Sequence, residues 1–247
     1  MAAAPTPPVV LLHGFTQTGA SWRPVADLLR SWRLDPATPD LPGHGTAGDL
    51  RLDLAGSAAR IADLIGGEPA IVVGYSMGGR TALRLALDHP GSVRSLVLIG
   101  ATAGITEPGA RTARRAADEV LAQRIEREGV EPFLEEWLAQ PLFADLEVQP
   151  DDLAARRANT PEGLASSLRL TGTGTMDPPW WDELAAIDAP TVVTWGARDA
   201  KFAALGQRLV DAIGPNASGM AVPHSGHAAH LEVPAAFAEL VVTRFVR

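Results

Sequence analysis

The sequence contains no cysteine, and only one of its 21 basic residues, Lys201, is a lysine. Disulfides and thiolate metal sites are therefore excluded. No apolar run approaches the roughly 18–20 residues that a membrane-spanning helix needs. The N-terminus has no basic stretch followed by an apolar one, so a secretory signal is not predicted. These absences favour a cytoplasmic protein that has no membrane partner.

A positive overall charge is also lacking. The formal net charge is −8, which argues against a nucleic-acid partner because phosphate binding needs a basic face. An anionic small-molecule substrate would need a locally positive pocket against this background. With 247 residues, 46% of them hydrophobic, the chain is long enough for one large α/β domain or two small ones.

Short apolar runs bounded by Pro or Gly predict buried strands. These runs cover residues 9–12, 70–73, 95–99, 191–195 and 219–222. Helical patterns lie between them, over residues 22–31, 54–65, 77–88, 202–213 and 234–245. Strands that alternate with helices predict a mostly parallel sheet with helices on both faces.

The alternation stops over residues 103–187, which are rich in Arg, Glu, Ala and Trp at helical spacing. Residues 114–127 and 132–138 are the clearest examples. We therefore expect a core formed by residues 1–102 and 188–247, with residues 103–187 as a helical cap. The cap would cover the C-terminal edge of the sheet, where open α/β sheets bind ligands.

A G-x-S-x-G motif, Gly74-Tyr75-Ser76-Met77-Gly78, lies between a predicted strand and a predicted helix. This is the context of a nucleophile elbow, and it predicts the α/β-hydrolase fold with Ser76 as the nucleophile. The following helix directs its N–H groups toward a developing anion.

A serine hydroxyl needs an imidazole to accept its proton, and in this fold the partners follow in the order Ser, acid, His. Asp199 follows the strand at 191–195, and His227 follows the strand at 219–222. The triad Ser76, Asp199 and His227 is therefore predicted. His224 and His230 flank His227, but no carboxylate or cysteine set accompanies them, so we expect neither a metal nor a cofactor.

Backbone N–H groups near the first strand complete the predicted site. Phe15 follows that strand, and its N–H is expected to form an oxyanion hole with the N–H of Met77. His13 and His44 are interpreted as structural residues hydrogen-bonded within their loops.

Several segments together resemble one family of this fold. Residues 74–80, 196–202 and 226–230 are similar to motifs of 2-succinyl-6-hydroxy-2,4-cyclohexadiene-1-carboxylate synthase, and the resemblance extends from Leu11 to about Pro234. That family acts in menaquinone biosynthesis. The resemblance implies a lyase that uses the triad to remove a proton and expel pyruvate from a polycarboxylate substrate.

The resemblance also implies substrate-binding positions. These are Tyr75, Arg80, Arg114, Trp137 and Arg157. Arginine forks match carboxylates bidentately, which suits a polycarboxylate. Each of the basic pairs at 114–115 and 156–157 leaves the register of its match open by one residue.

Two alternatives remain on sequence grounds. A carboxylesterase, thioesterase or C–C bond hydrolase would use the same triad. A non-catalytic receptor on this scaffold would not need an intact, correctly ordered triad.

Overall fold

A computed structural model describes residues 7–245. One sheet of six parallel strands forms its centre, in the order β2-β1-β3-β4-β5-β6. The strands are β1 (Val9–Leu12), β2 (Pro36–Ala37), β3 (Ala70–Tyr75), β4 (Val93–Ile99), β5 (Thr191–Gly196) and β6 (Ala217–Val222). The central strand β3 is buried along its whole length, as expected when helices cover both faces of a parallel sheet.

Among residues 7–245, six α-helices lie outside the stretch between β4 and β5. They are α1 (Arg23–Ser31), α2 (Leu54–Ile65), α3 (Met77–Asp88), α8 (Ala200–Ile213), α9 (Ala229–Glu232) and α10 (Pro234–Phe245). Helices α2, α3 and α8 share one hydrophobic core with the sheet. Helices α1 and α10 share the core on the opposite face. The predicted parallel sheet with helices on both faces is therefore confirmed.

Four further helices follow β4 and precede β5. They are α4 (Pro108–Glu128), α5 (Val130–Leu138), α6 (Pro150–Arg157) and α7 (Pro161–Thr171). A separate small core joins α4, α5 and α7 through residues such as Ile125, Phe133 and Leu164. No strand occurs between β4 and β5, a stretch that the structure describes completely. The helical character expected for this region is therefore observed, although α4 begins at Pro108 and not at Arg114.

One strand was missed, because β2 consists of only two residues, Pro36 and Ala37, and contains no apolar run. It pairs with the start of β1 at one edge of the sheet. None of the helices found between residues 7 and 245 is both long and apolar enough to cross a bilayer.

Candidate active site

The elbow is a sharp turn between β3 and α3. Ser76 has φ +51° and ψ −103°, a left-handed conformation that is uncommon for a residue other than glycine. A Cβ atom at Gly74 would collide with the backbone of Gly78, and one at Gly78 would collide with the backbone of Leu12. The two motif glycines thus allow the close backbone approach that holds Ser76 at the end of the strand, where it lines a cavity.

His227 and Asp199 meet beside this turn. The distance from His227 Nδ1 to Asp199 Oδ2 is 2.9 Å, and Asp199 Oδ1 accepts from the N–H of Phe202 at 3.1 Å. Burial opposes the charge of Asp199, but these hydrogen bonds outweigh it and lower its pKa. The carboxylate therefore stays ionised at neutral pH and fixes the orientation of the imidazole.

The His227 ring is held by close packing. Phe202 lies against it with 4.2 Å between ring centroids, and Tyr75 lies 5.2 Å away. Gly100, at the end of β4, has φ +53°, and a Cβ there would come within 2.6 Å of His227 Cε1. Among residues 7–245, no hydrogen bond joins Ser76 Oγ to His227, although both line the cavity. Such catalytic contacts often tighten only when substrate binds.

The N–H groups of Phe15 and Met77 belong to residues that line the same cavity. Neither N–H donates a hydrogen bond to another residue in the described part of the chain. Met77 is the first residue of α3, so its N–H is one of the free donors at a helix N-terminus. The Phe15 ring packs edge-on against Trp137 and His44.

His13 and His44 lie in the fold as structural residues. His13 Nε2 accepts from the N–H of Leu41 at 2.9 Å, and Nδ1 donates to Gly14 O at 2.9 Å. Burial lowers the pKa of His13 to about 4 and that of His44 to about 3. Both imidazoles are thus neutral at physiological pH. The hydrogen bond from Leu41 to His13 fixes the loop just before Phe15.

The cavity over Ser76 has a volume of about 790 Å³ and is walled by cations and aromatic rings. Its basic residues are Arg80, Arg114, Arg124, Arg156, Lys201 and Arg208, and its aromatic residues are Phe15, Tyr75, Phe133, Trp137, Phe143 and Phe202. Only two carboxylates, Asp118 and Glu136, are among the lining residues. A strongly acidic chain therefore has a positive pocket.

Arg80 extends from the first turn of α3. Its Nε and Nη2 donate to Thr171 O at 3.3 and 2.9 Å, and it forms no ion pair within residues 7–245. Burial and the neighbouring charge of Arg114 lower the pKa of Arg80 to about 10, against the opposing effect of Asp118. The guanidinium remains charged at neutral pH, and its Nη1 group, which has no partner in the described part of the chain, can bind an anion.

Arg114 also lines the cavity, where it donates to Asp118 Oδ1 at 2.8 Å. Burial raises the pKa of Asp118, although Arg114 and Arg80 act in the opposite direction. The second carboxylate oxygen of Asp118 is buried without a hydrogen-bond partner among the described residues. Burying Asp118 therefore costs folding free energy, and its hydrogen bond fixes the position of Arg114.

The prediction of Arg157 as a pocket residue is wrong by one position. Arg157 lies at the surface and pairs with Glu131 at 2.8 Å. Arg156 is buried instead, lines the cavity, and donates to Asp152 at 2.8 Å and to Thr16 Oγ1 at 2.7 Å. Successive residues on a helix point about 100° apart, so α6 can direct only one member of the pair inward.

Tyr75 and Trp137 both line the cavity, as expected from the resemblance. The Tyr75 ring packs between His227 and His230, and burial raises its pKa above the usual range. His230 is fully buried, with both ring nitrogens unpaired among the described residues, whereas His224 is exposed. Between residues 7 and 245 no cluster of three His, Cys, Asp or Glu side chains is arranged to hold a metal.

Two cations of α8 line the cavity although neither was predicted to be a substrate-binding residue. Lys201 and Arg208 lie two helical turns apart on the side of α8 that also presents Leu205 to the cavity. The Arg208 guanidinium stacks on Trp181 at 3.7 Å and donates to Thr106 Oγ1 at 3.0 Å. The spacing of Lys201, Leu205 and Arg208 was the available signal, because residues four and seven positions apart share a helix face.

Comparison with known proteins gives three consistent findings. Residues 9–240 match the model of the alpha/beta hydrolase family. A Klebsiella pneumoniae protein named 2-succinyl-6-hydroxy-2,4-cyclohexadiene-1-carboxylate synthase is 35% identical, with 93% of this chain and 90% of that protein covered. A Pectobacterium atrosepticum protein of the same name is 33% identical, with 98% and 95% covered.

The third finding is structural. MenH from S. aureus superimposes with a TM-score of 0.88 at 27% sequence identity, covering 98% of this chain and 94% of that one. The similarity thus includes the helices between β4 and β5 as well as the sheet.

Proposed function

Because the chain belongs to the alpha/beta hydrolase family and, within it, to the 2-succinyl-6-hydroxy-2,4-cyclohexadiene-1-carboxylate synthase family, we propose that it forms that product by eliminating pyruvate from a polycarboxylate precursor. The family membership expected from its motifs is confirmed, and the chain is an enzyme. The reaction that we propose is a lyase reaction of menaquinone biosynthesis, with Ser76, His227 and Asp199 as its proton-transfer machinery.

The observation that carries this proposal is the charge of the cavity over Ser76. Three of its cations, Arg80, Lys201 and Arg208, pair with no carboxylate in the described part of the chain. These cations lie together in a chain whose acidic residues outnumber its basic ones by 29 to 21. A substrate with several carboxylates would neutralise them.

Proton removal is the first chemical step. His227 accepts the proton of Ser76 Oγ, and the serine oxygen takes a proton from a ring carbon of the substrate. Asp199 accepts a hydrogen bond from Nδ1 and stabilises the imidazolium that forms. Phe202 and Tyr75 pack against the imidazole of His227 and shield it from bulk water. This favours proton transfer between Ser76 and His227 over proton transfer to solvent.

Departure of pyruvate completes the elimination. The electron pair of the broken C–H bond forms the new ring double bond, and the C–O bond to the three-carbon unit breaks. The unit leaves as an enolate, and we assign the N–H groups of Phe15 and Met77 to stabilising its negative oxygen. The proton held by His227 then returns to the departing group, which becomes pyruvate.

The carboxylates of the substrate are assigned to the basic walls of the cavity. Arg80 and Arg114 lie on the side of α3 and α4, and Arg156 lies beside Thr16. Arg80 and Arg156 each keep a guanidinium nitrogen without a partner among residues 7–245. These are the donors that we assign to substrate, with Tyr75 and Trp137 as apolar walls.

The direct test is to incubate the protein with the menaquinone precursor and measure pyruvate with lactate dehydrogenase, alongside the ring product. We expect equimolar pyruvate and cyclohexadiene product, with slow turnover of p-nitrophenyl acetate. Rapid ester hydrolysis without pyruvate release would instead assign the site to a serine hydrolase.

A further inference from the structure

Thr16 has an unusual conformation next to the proposed oxyanion hole. It follows Phe15 directly, is completely buried, and has φ +68°. For a β-branched residue such a φ is a true outlier, with a cost of roughly 1–3 kcal/mol, and it persists only when the surroundings hold it.

Two side chains of the cap hold Thr16. Arg156 Nη1 donates to Thr16 Oγ1 at 2.7 Å, and Asn159 Nδ2 donates to Thr16 O at 2.8 Å. Both side chains are buried, and Arg156 is itself fixed by Asp152. Within the loop, Gln17 Oε1 accepts from the N–H of Gly14, and His13 Nε2 accepts from the N–H of Leu41 in the core. The loop around Phe15 is thus held by its own hydrogen bonds, by the core and by two side chains of the cap.

Asn159 also reaches a second loop of the core. Its Oδ1 accepts from the N–H of Gly45 at 2.8 Å, and Gly45 has φ +47°. Asn159 follows α6 and bonds back to Arg156 O at 3.0 Å, so its amide is used on both sides. One buried side chain therefore connects the end of α6 to two loops near the C-terminal edge of the sheet.

We propose that Asn159, together with Arg156, is a positioning residue for the oxyanion hole. It holds Thr16 in its strained conformation and thereby directs the N–H of Phe15 toward the cavity. The contacts of α6 with the core loops would then affect stabilisation of the transition state as well as substrate binding. This inference rests on the proposed function in one respect, the use of the Phe15 N–H beside Ser76.

Asn159→Asp tests the donor contact to Thr16 apart from the acceptor contact to Gly45. An oxygen still accepts from Gly45, but the group that donated to Thr16 O becomes a repelling oxygen. Removing an oxyanion donor costs about 10²–10³ in kcat, and displacing one costs less. We expect kcat for pyruvate release to fall by about 10- to 100-fold, with KM changed by less than about threefold.

A second pair of variants tests the other contact without depending on Asn159. Thr16→Val removes the acceptor of Arg156 but keeps the shape of the side chain, whereas Thr16→Ser keeps the acceptor. We expect Thr16→Val to lose about 10-fold in kcat and Thr16→Ser to retain most of the wild-type rate. The matched control is Arg157→Ala on the same helix, whose side chain is exposed and contacts Glu131.

A readout that does not need the precursor is the reaction of Ser76 with a p-nitrophenyl phosphonate, followed by p-nitrophenolate release. If wild-type protein reacts with the phosphonate but releases no pyruvate, the proposed function fails while this inference is still tested by the labelling rates. Slow labelling of Asn159→Asp and Thr16→Val, with normal labelling of Thr16→Ser and Arg157→Ala, supports it.

Two results would overturn the inference. One is wild-type labelling and turnover in Asn159→Asp or Thr16→Val proteins whose circular dichroism and Tm show that they are folded. The other is an equal loss in all four variants, which would mean that α6 only stabilises the cap. If Asn159→Asp does not fold, the comparison of Thr16→Val with Thr16→Ser decides alone.

Discussion

Arg80→Ala should separate recognition of charge from support of the elbow. The Arg80 guanidinium is partly buried in the cavity wall, and among residues 7–245 it has no carboxylate partner and bonds only to Thr171 O. Its loss would leave a substrate carboxylate buried and unpaired, which costs about 2–5 kcal/mol. This corresponds to a loss of about 30-fold to several thousand-fold in kcat/KM for pyruvate elimination.

Arg80→Lys should recover only part of this loss. A lysine restores a positive charge but cannot reproduce the planar fork, which here binds Thr171 O on one side and faces the cavity on the other. The matched control is Arg84→Ala, one turn further along α3, where the guanidinium pairs with Asp88 and Glu183 outside the cavity. This control should keep kcat/KM within about twofold of wild type, because Arg84 does not line the cavity.

The assay is kcat/KM for pyruvate elimination and for p-nitrophenyl acetate, measured in all four proteins. A neutral ester carries no carboxylate for Arg80 to bind, so Arg80→Ala should affect it far less than the elimination. Equal losses on the two substrates would refute the reasoning, because they would mean that Arg80 supports the elbow rather than binding charge.

Other substitutions test the triad acid, the buried ion pair and the buried histidines. Asp199→Asn should lower kcat by about 10⁴, the size of the loss when the triad aspartate of a serine protease becomes asparagine, while Tm changes little; retention of a tenth of the activity would assign the acid elsewhere. Arg156→Ala should destabilise the protein by about 3–5 kcal/mol in urea unfolding, because Asp152 is left buried without its partner, and Arg157→Ala should cost less than about 1 kcal/mol. Similar losses for the two would contradict the assignment of the buried member. Three buried histidines have depressed pKa values in the folded state; they are His13, His44 and His230. Unfolding exposes them to protonation, so their stabilising effect is complete above about pH 6.5 and falls by about 1.4 kcal/mol per pH unit per histidine as the pH drops toward the folded pKa. His230→Phe should flatten this acid dependence, and unchanged slopes in urea unfolding between pH 5 and about pH 6.5 would argue against it.

The helices whose ends were predicted correctly begin at residues that the sequence marks clearly. Helices α2, α3 and α10 begin and end at the expected residues, because Asp53, the elbow and Pro234 mark their starts. The start of α4 was expected later than it occurs, although Pro108 and the capping carboxylate of Glu107 were visible signals. Strand β2 carried no signal, since only tertiary pairing makes two residues a strand.

In the site, residues tied to one strand end were easier to predict than residues of the cap. Ser76, Asp199 and His227 are each placed by the end of a strand, so the chain order alone brings them to one edge of the sheet. Helix α6 has eight residues and few apolar ones, so its periodicity could not show which of Arg156 and Arg157 points inward. The spacing of Asp152 and Arg156 by four was the one usable signal, as it predicts an ion pair on one helix face.

In the proposed reaction Ser76 transfers the proton, and pyruvate release by Ser76→Ala tests this role. The hydroxyl lies at a cavity-facing turn, so its removal opens no core cavity and Tm should change by only a few degrees. We predict a loss of at least about 10³ in kcat, because the serine oxygen transfers the proton. Turnover above a few per cent of wild type in a folded variant would move the chemistry to another residue.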